Sequence, residues 1–171
     1  IDDTGFSDVA ANAWYAAAVS YVQTNSLMSG TAFATFSPDT NIDRAMLAAI
    51  LYRISDNPAV SETVTFADVT ADDYYAAAAA WAVTNDVMTP GENGFFGGNE
   101  SVSRQEIAHI LWRHAGRPSA EASVDFADET MIAPYAAAAV DWARANEVIN
   151  GKENNYFDPN GNVTRAQMAA I

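Results

Sequence analysis

The sequence predicts an all-α protein built from three helix–loop–helix repeats on one shared core. Three observations carry this. The tetrads Asp43-Arg44-Ala45-Met46, Ser103-Arg104-Gln105-Glu106 and Thr164-Arg165-Ala166-Gln167 recur about 60 residues apart, and each opens an apolar helical stretch. Phe6-Ser7-Asp8, Phe66-Ala67-Asp68 and Phe126-Ala127-Asp128 recur at the same period. Between each Phe-x-Asp and its tetrad lies an alanine-rich segment with a glycine-containing turn after it. Such a period marks a repeated supersecondary unit. One unit alone buries too little surface to be stable, so the three are expected to share a core. The repeats are read as residues 1–57, 58–118 and 119–171.

In each repeat the Phe-x-Asp turn is followed by an aromatic pair or near-pair: Trp14-Tyr15, Tyr74-Tyr75, Pro134-Tyr135. The first helix comes next. In repeat 1, Tyr15, Ala18, Val19 and Val22 fall at helical spacing on one face. Alanine has the best helix propensity and keeps this helix slim enough for a neighbour to approach closely. Tyr21, Trp81 and Trp142 occupy matching positions, the third copy carrying one inserted residue. Asn25, Asn85 and Asn146 end these helices, and the glycines Gly30, Gly91 and Gly151 punctuate the turn beyond. A loop through Phe36, Phe96 or Phe157 then reaches the tetrad.

The tetrads are helix starts. Asp, Ser and Thr accept hydrogen bonds from the free N–H groups of a first turn. Ser103 with Glu106 and Thr164 with Gln167 fit the reciprocal capping box; Asp43 with Met46 does not. Apolar residues before the cap (Ile42, Val102, Val163) and five later (Leu47, Ile107, Met168) complete a hydrophobic staple. The third of these helices stops at Ile171, where its counterparts run on through Ile54 and Ala115, so the chain reads as part of a larger protein. Segments 55–65 and 115–125, rich in Pro, Ser, Ala and acids, read as linkers.

Arginine is an odd choice for the first helical residue. A cation at the positive end of a helix costs roughly 0.3–1 kcal/mol, yet Arg44, Arg104 and Arg165 all stand there. Two readings are open. Each guanidinium leans out to pair with a carboxylate, or Arg, capping oxygen and free backbone N–H groups together form an anion site.

Composition narrows the function. With 22 acidic and 8 basic residues the formal net charge is −14. That surface repels nucleic acid and anionic lipid, and no basic stripe overcomes it. Half the residues are hydrophobic, which a disordered chain does not show. Cysteine is absent, which removes disulfides, thiol nucleophiles and thiolate metal sites. The alanine runs at 76–80 and 136–139 are far too short to span a bilayer.

The order Phe-x-Asp, Trp-Tyr, a Gly-containing turn, Phe-x-Pro and Thr-Arg-Ala resembles the S-layer homology module. Repeat 3 carries it most fully, in Asn150-Gly151, Tyr156-Phe157-Asp158-Pro159 and Val163-Thr164-Arg165-Ala166-Gln167. Repeat 1 keeps Phe36-Ser37-Pro38-Asp39 and Ile42-Asp43-Arg44-Ala45. Repeat 2 departs, with Phe96-Gly97-Gly98-Asn99 and no tryptophan in its aromatic pair. The resemblance implies a pseudo-threefold bundle with binding grooves between repeats. It implies a module that anchors a surface-layer protein or exoenzyme outside the cell, on the wall, through a pyruvylated secondary cell-wall polysaccharide. By motif position it assigns ligand binding to Arg44, Arg104 and Arg165, with Asp43, Ser103 and Thr164 beside them. Trp14, the aspartates Asp8, Asp68 and Asp128, and the glycines Gly30 and Gly151 match further family positions. It implies no cofactor, no catalytic residues and no membrane insertion.

Rival readings are weaker. Asp158-Pro159-Asn160-Gly161-Asn162 imitates a calcium loop, but Val163 and Ala169 stand where an EF-hand needs Gly and Glu. His109 and His114 are five apart, off the spacing that shares a metal ligand. His114 replaces an apolar core position. A peptidoglycan-binding or protein–protein structural module is the alternative function.

Overall fold

The computed structural model describes residues 4–60, 64–120 and 125–171. Parts of both expected linkers, 61–63 and 121–124, lie outside the described residues. Among the described residues six α-helices form, two per repeat: α1 (Ala16–Thr24), α2 (Arg44–Ile54), α3 (Ala76–Thr84), α4 (Arg104–His114), α5 (Ala137–Ala145) and α6 (Arg165–Ala170). Among the described residues there is no strand, only isolated bridges.

The helix starts form as the sequence dictates. Asp43, Ser103 and Thr164 are N-caps in extended conformation, accepting from the backbone N–H of Met46, Glu106 and Gln167. Full capping boxes form at Ser103 and Thr164. The staple residues Ile42, Leu47, Val102, Ile107, Val163 and Met168 are all buried. The alanine-rich helices end as expected too. Asn25, Asn85 and Asn146 are the C-caps, and each side-chain amide donates back to the carbonyl of Tyr21, Trp81 or Trp142.

The repeats close into a ring. Helix α2 of repeat 1 packs on α3 of repeat 2, α4 on α5, and α6 of repeat 3 returns to α1. A linear solenoid would lack that last contact. The bridges around the helix starts follow the same cycle: Asp43 with Ser101, Ser103 with Asn162, and Asn41 with Thr164. Phe36, Phe96 and Phe157, each 0 % exposed, are the largest fully buried side chains of the common core. Burying each contributes about 1.5–3 kcal/mol.

Two alignments drawn from the sequence need correcting. The N-terminal flank of α5 is Ala136, not an aromatic: Tyr135 takes the position of Trp14 and Tyr74, while Ala136 takes that of Tyr15 and Tyr75. The extra residue of repeat 3 lies before this point, where a 3₁₀ turn forms at Glu129–Met131. Gly91 is likewise one place off. Counting back from the core phenylalanines, Pro90 stands where repeats 1 and 3 carry Gly30 and Gly151.

Candidate functional site

The three helix-start arginines point neither at solvent nor at carboxylates. Arg44 Nε donates to Phe96 O at 2.9 Å and Nη2 to Thr89 O at 2.6 Å. Arg104 makes the same pair with Phe157 O and Asn150 O at 2.7 and 2.8 Å, and Arg165 with Phe36 O and Ser29 O at 2.8 and 2.7 Å. Each guanidinium also lies over the ring of the phenylalanine whose carbonyl it holds, 4.6–5.1 Å from the centroid. Every one of these bonds reaches the loop of the next repeat, and Arg165 closes the circle. Burial pushes all three guanidinium pKa values down, against nearby carboxylates, and at Arg165 first against Tyr74, that push up. The forked donor suits two backbone carbonyls as it suits a carboxylate.

The free N–H groups of the helix starts are occupied as well. Arg44 and Ala45 donate to Glu100 O and Gly98 O, Arg104 and Gln105 to Gly161 O and Pro159 O, and Arg165 and Ala166 to Thr40 O and Pro38 O. The third N–H goes to the cap side chain. The free N–H groups and two donors of each arginine in the expected anion site are thus committed to the neighbouring repeat and the caps. The cost of a cation at the helix start is offset by this junction.

The Phe-x-Asp aspartates are loop fasteners. Asp8 accepts from Phe36 N and Ser37 N at 2.8 and 2.7 Å, Asp68 from Phe96 N and Gly97 N, and Asp128 from Phe157 N and Asp158 N. Burial works to raise the Asp8 and Asp68 carboxyls, but the backbone N–H groups outweigh it and hold both below the ordinary 3.8. The second residue of each loop pair, Ser37, Gly97 or Asp158, has positive φ. That explains the glycine of repeat 2 where the other copies carry a side chain. Gly30 is needed for another reason. A Cβ there would stand 2.7 Å from Thr35 O and 2.8 Å from the Phe6 ring; at Gly151 it would meet the Phe126 ring at 2.9 Å.

Hollows lie where repeats meet. A cavity of about 450 Å³ is bounded by the turn Met28–Thr31 of repeat 1, the outer face of α2, Tyr74 of repeat 2 and Arg165 of repeat 3. One step around the ring a second, of about 440 Å³, is bounded by Thr89, α4, Tyr135 and Arg44. Tyr74 and Tyr135 are exposed, and so is Trp14 at 69 %, which holds the same position at the third junction. Tyr74 and Trp14 are braced edge-to-face against Tyr75 and Tyr15 at 5.3 Å; Tyr135 is braced against His109 at 5.1 Å.

The structure therefore brings Arg165 and Gly30 into one hollow and Arg44 into the other. Arg104, Gly151 and Trp14 belong to the third junction. Asp8, Asp68 and Asp128 stay with the loops, and Asp43, Ser103 and Thr164 with the helix caps. Sequence reading missed Tyr74, Tyr135, Arg53 and Arg113 as cavity walls. The pairing of Arg53 with Arg113, 60 residues apart on equivalent helices, was the available signal.

Three helix pairs closed into a ring, with aromatic- and arginine-walled hollows at their junctions, define a repeat-built binding module. The model of the S-layer homology domain matches residues 5–46, 65–108 and 125–169, and the chain belongs to that family. This assigns it to the anchoring modules of the cell wall and surface layer. It is 31% identical over 148 residues to the "Surface-layer 125 kDa protein" of Lysinibacillus sphaericus, covering 85% of this chain and 12% of that protein. It is 29% identical over 171 residues to an "Endoglucanase" of Bacillus sp. (strain KSM-635), covering 97% of this chain and 18% of the relative. An "Amylopullulanase" of Thermoanaerobacterium thermosulfurigenes is 26% identical over 174 residues, with 99% and 9% covered. The chain thus spans less than a fifth of the length of these relatives. Among the described residues no helix is long and apolar enough to cross a membrane.

Proposed function

We propose that this chain is a non-catalytic module that ties a larger surface protein to the bacterial wall by gripping an anionic, pyruvylated secondary wall polysaccharide at the repeat junctions. The observation that carries the reading is the pair of equivalent hollows, each walled by an exposed tyrosine and two arginines in a chain whose overall charge is strongly negative. An aromatic face suits the apolar side of a sugar ring, and a guanidinium suits a carboxylate. Local cationic chemistry of this kind lets an acidic protein hold an acidic polymer. In this reading Arg44, Arg104 and Arg165 hold the junctions in shape and present their remaining edge to the ligand. Trp14, Tyr74 and Tyr135 supply the stacking faces. Asp8, Asp68, Asp128, Asp43, Ser103 and Thr164 position the loops and helix starts, and Gly30 and Gly151 keep the turns flat enough for a polymer to approach. The relatives named as a surface-layer protein and as polysaccharide-degrading enzymes support the anchoring role, since the shared part is a small fraction of each.

Co-sedimentation with purified wall sacculi tests this. The chain is expected to be retained on polysaccharide-bearing sacculi and released by soluble wall polysaccharide. Equal retention on sacculi stripped of that polysaccharide would replace this reading with peptidoglycan binding.

A further inference from the structure

The two hollows match in position and size but differ in charge. In repeat 1, Arg53 and Arg165 line the cavity, and no acidic residue does. Arg53 spends one donor on Leu27 O at 3.0 Å, and among the described residues no carboxylate pairs with it. Arg165 has Met46 beside it, with Nη1 3.8 Å from the sulfur. The carboxylates that act on Arg165 are Asp43 and Asp8, both already committed to backbone N–H groups. A further hollow of about 380 Å³ adjoins on the other side of Arg53, sharing Met28, Ser29, Gly30 and Arg53 with the first and reaching Ser26 and Phe6. Arg53 therefore lines both hollows, which share the turn Met28–Gly30 as a wall and together make the trough of repeat 1.

Repeat 2 has the same frame with carboxylates placed beside its arginines. Glu106 replaces Met46 and lines the cavity beside Arg44, and His109 fills the place of Ala49. Asp86 replaces Ser26. Its carboxylate pairs with both Arg113, the counterpart of Arg53, and Arg117. Arg113 also donates to Asp86 O at 2.6 Å, which locks it against the loop. Arg44, Arg113 and the carboxylate of Glu106 then line the cavity, with Arg113 held by Asp86 from outside it, where repeat 1 offers two cations alone.

We propose that the trough of repeat 1, lined by Arg53, is the specificity-determining site for an acidic saccharide, and that Asp86 and Glu106 make the equivalent hollow of repeat 2 a much weaker site for anions. This rests on the polysaccharide-binding reading above and names which junction carries it. Ser26 and Met46 act by omission: neither places a carboxylate beside Arg53 or Arg165, so a ligand carboxylate takes that place.

The test uses this 171-residue chain and a methyl glycoside bearing a pyruvate ketal, with the unpyruvylated glycoside as control, read by calorimetry. Ser26→Asp and Met46→Glu each import one feature of repeat 2, and each is expected to weaken binding about tenfold or more, the worth of one charged contact. Ser26 and Asp86 share a backbone conformation, with φ of 57° and 56°, so Ser26→Asp fits without strain. The double variant Asp86→Ser, Glu106→Met is expected to bind one additional equivalent. Methionine is compatible with that helix start, because repeat 1 carries it there. Native affinity in both Ser26→Asp and Met46→Glu, with wild-type binding intact, would overturn the repeat 1 assignment and leave polysaccharide binding standing. A double variant without the extra equivalent would overturn the role given to Asp86 and Glu106. Wild-type protein that binds neither the ketal glycoside nor polysaccharide-bearing sacculi would overturn the underlying reading as well.

Discussion

Replacing Arg104 by alanine should destabilise the whole ring, although the residue sits at a helix terminus and carries a charge. Arg104 is 6 % exposed and holds two backbone carbonyls of repeat 3, with its guanidinium 5.1 Å from the Phe157 centroid. Hydrogen bonds to a charged donor contribute about 1.5–3 kcal/mol each, so two supply at least about 3 kcal/mol. The ring contact adds about 0.5–1 kcal/mol. Relief of the helix dipole returns about 0.3–1 kcal/mol. The net loss is about 3 kcal/mol, which for a chain of this size lowers the melting temperature by about 6–12 °C. Urea and thermal unfolding monitored by circular dichroism measure it. Lysine should recover less than half, because a point charge does not reach both carbonyls with the fork geometry of arginine. Arg165→Ala should behave alike, being 5 % exposed with the same two bonds. A loss below about 1 kcal/mol in both variants, the range of exposed ion pairs, would refute the junction role.

Gly30→Ala should cost about 1–3 kcal/mol by overpacking, since its Cβ would press on Thr35 O and Phe6; Pro90→Gly in repeat 2 should cost less than half of that, measured by urea unfolding. Leu47→Ala, at a fully buried staple position, should lose about 2–5 kcal/mol through the cavity it leaves. Ser103→Ala removes a capping box and should cost about 1 kcal/mol in the same assay. Acid unfolding should depend on Asp8 and Asp68: both carboxyls are depressed below 3.8 in the folded state, so their contribution is complete above that value and fades as pH falls through the lower folded values. Asp8→Asn and Asp68→Asn should therefore lower the melting temperature at pH 7 and flatten its fall in acid, and a fall as steep as in the wild type would contradict the assignment.

The helix starts were legible because capping is a local code. Asp43, Ser103 and Thr164 each carry their signal within five residues, so their boundaries follow from neighbouring side chains. The repeat order was legible from spacing. What the sequence could not display was the destination of a long side chain. Arg44, Arg104 and Arg165 break the dipole rule, and that marked them as purposeful, but their partners are carbonyls 45–136 positions away. Backbone acceptors leave no residue-type signature. The misplacement of Tyr135 has a different cause. A single inserted residue before α5 shifts the aromatic register, and Pro134-Tyr135 imitates a pair whose second member is in fact Ala136. Arg53 was hidden because its meaning depends on what is missing around it. Only the contrast with Arg113, held by Asp86, exposes its open charge.

The most direct test of the account is a two-dimensional NMR titration of the isotope-labelled chain with purified pyruvylated wall polysaccharide fragments. The account predicts that the largest shifts fall on the Gly30 amide, the Arg53 and Arg165 Nε–H signals and the residues flanking Tyr74, with smaller changes around Tyr135. Shifts concentrated on the outer faces of α1, α3 and α5, or absent at saturating polysaccharide, would contradict a binding site at the junctions between repeats.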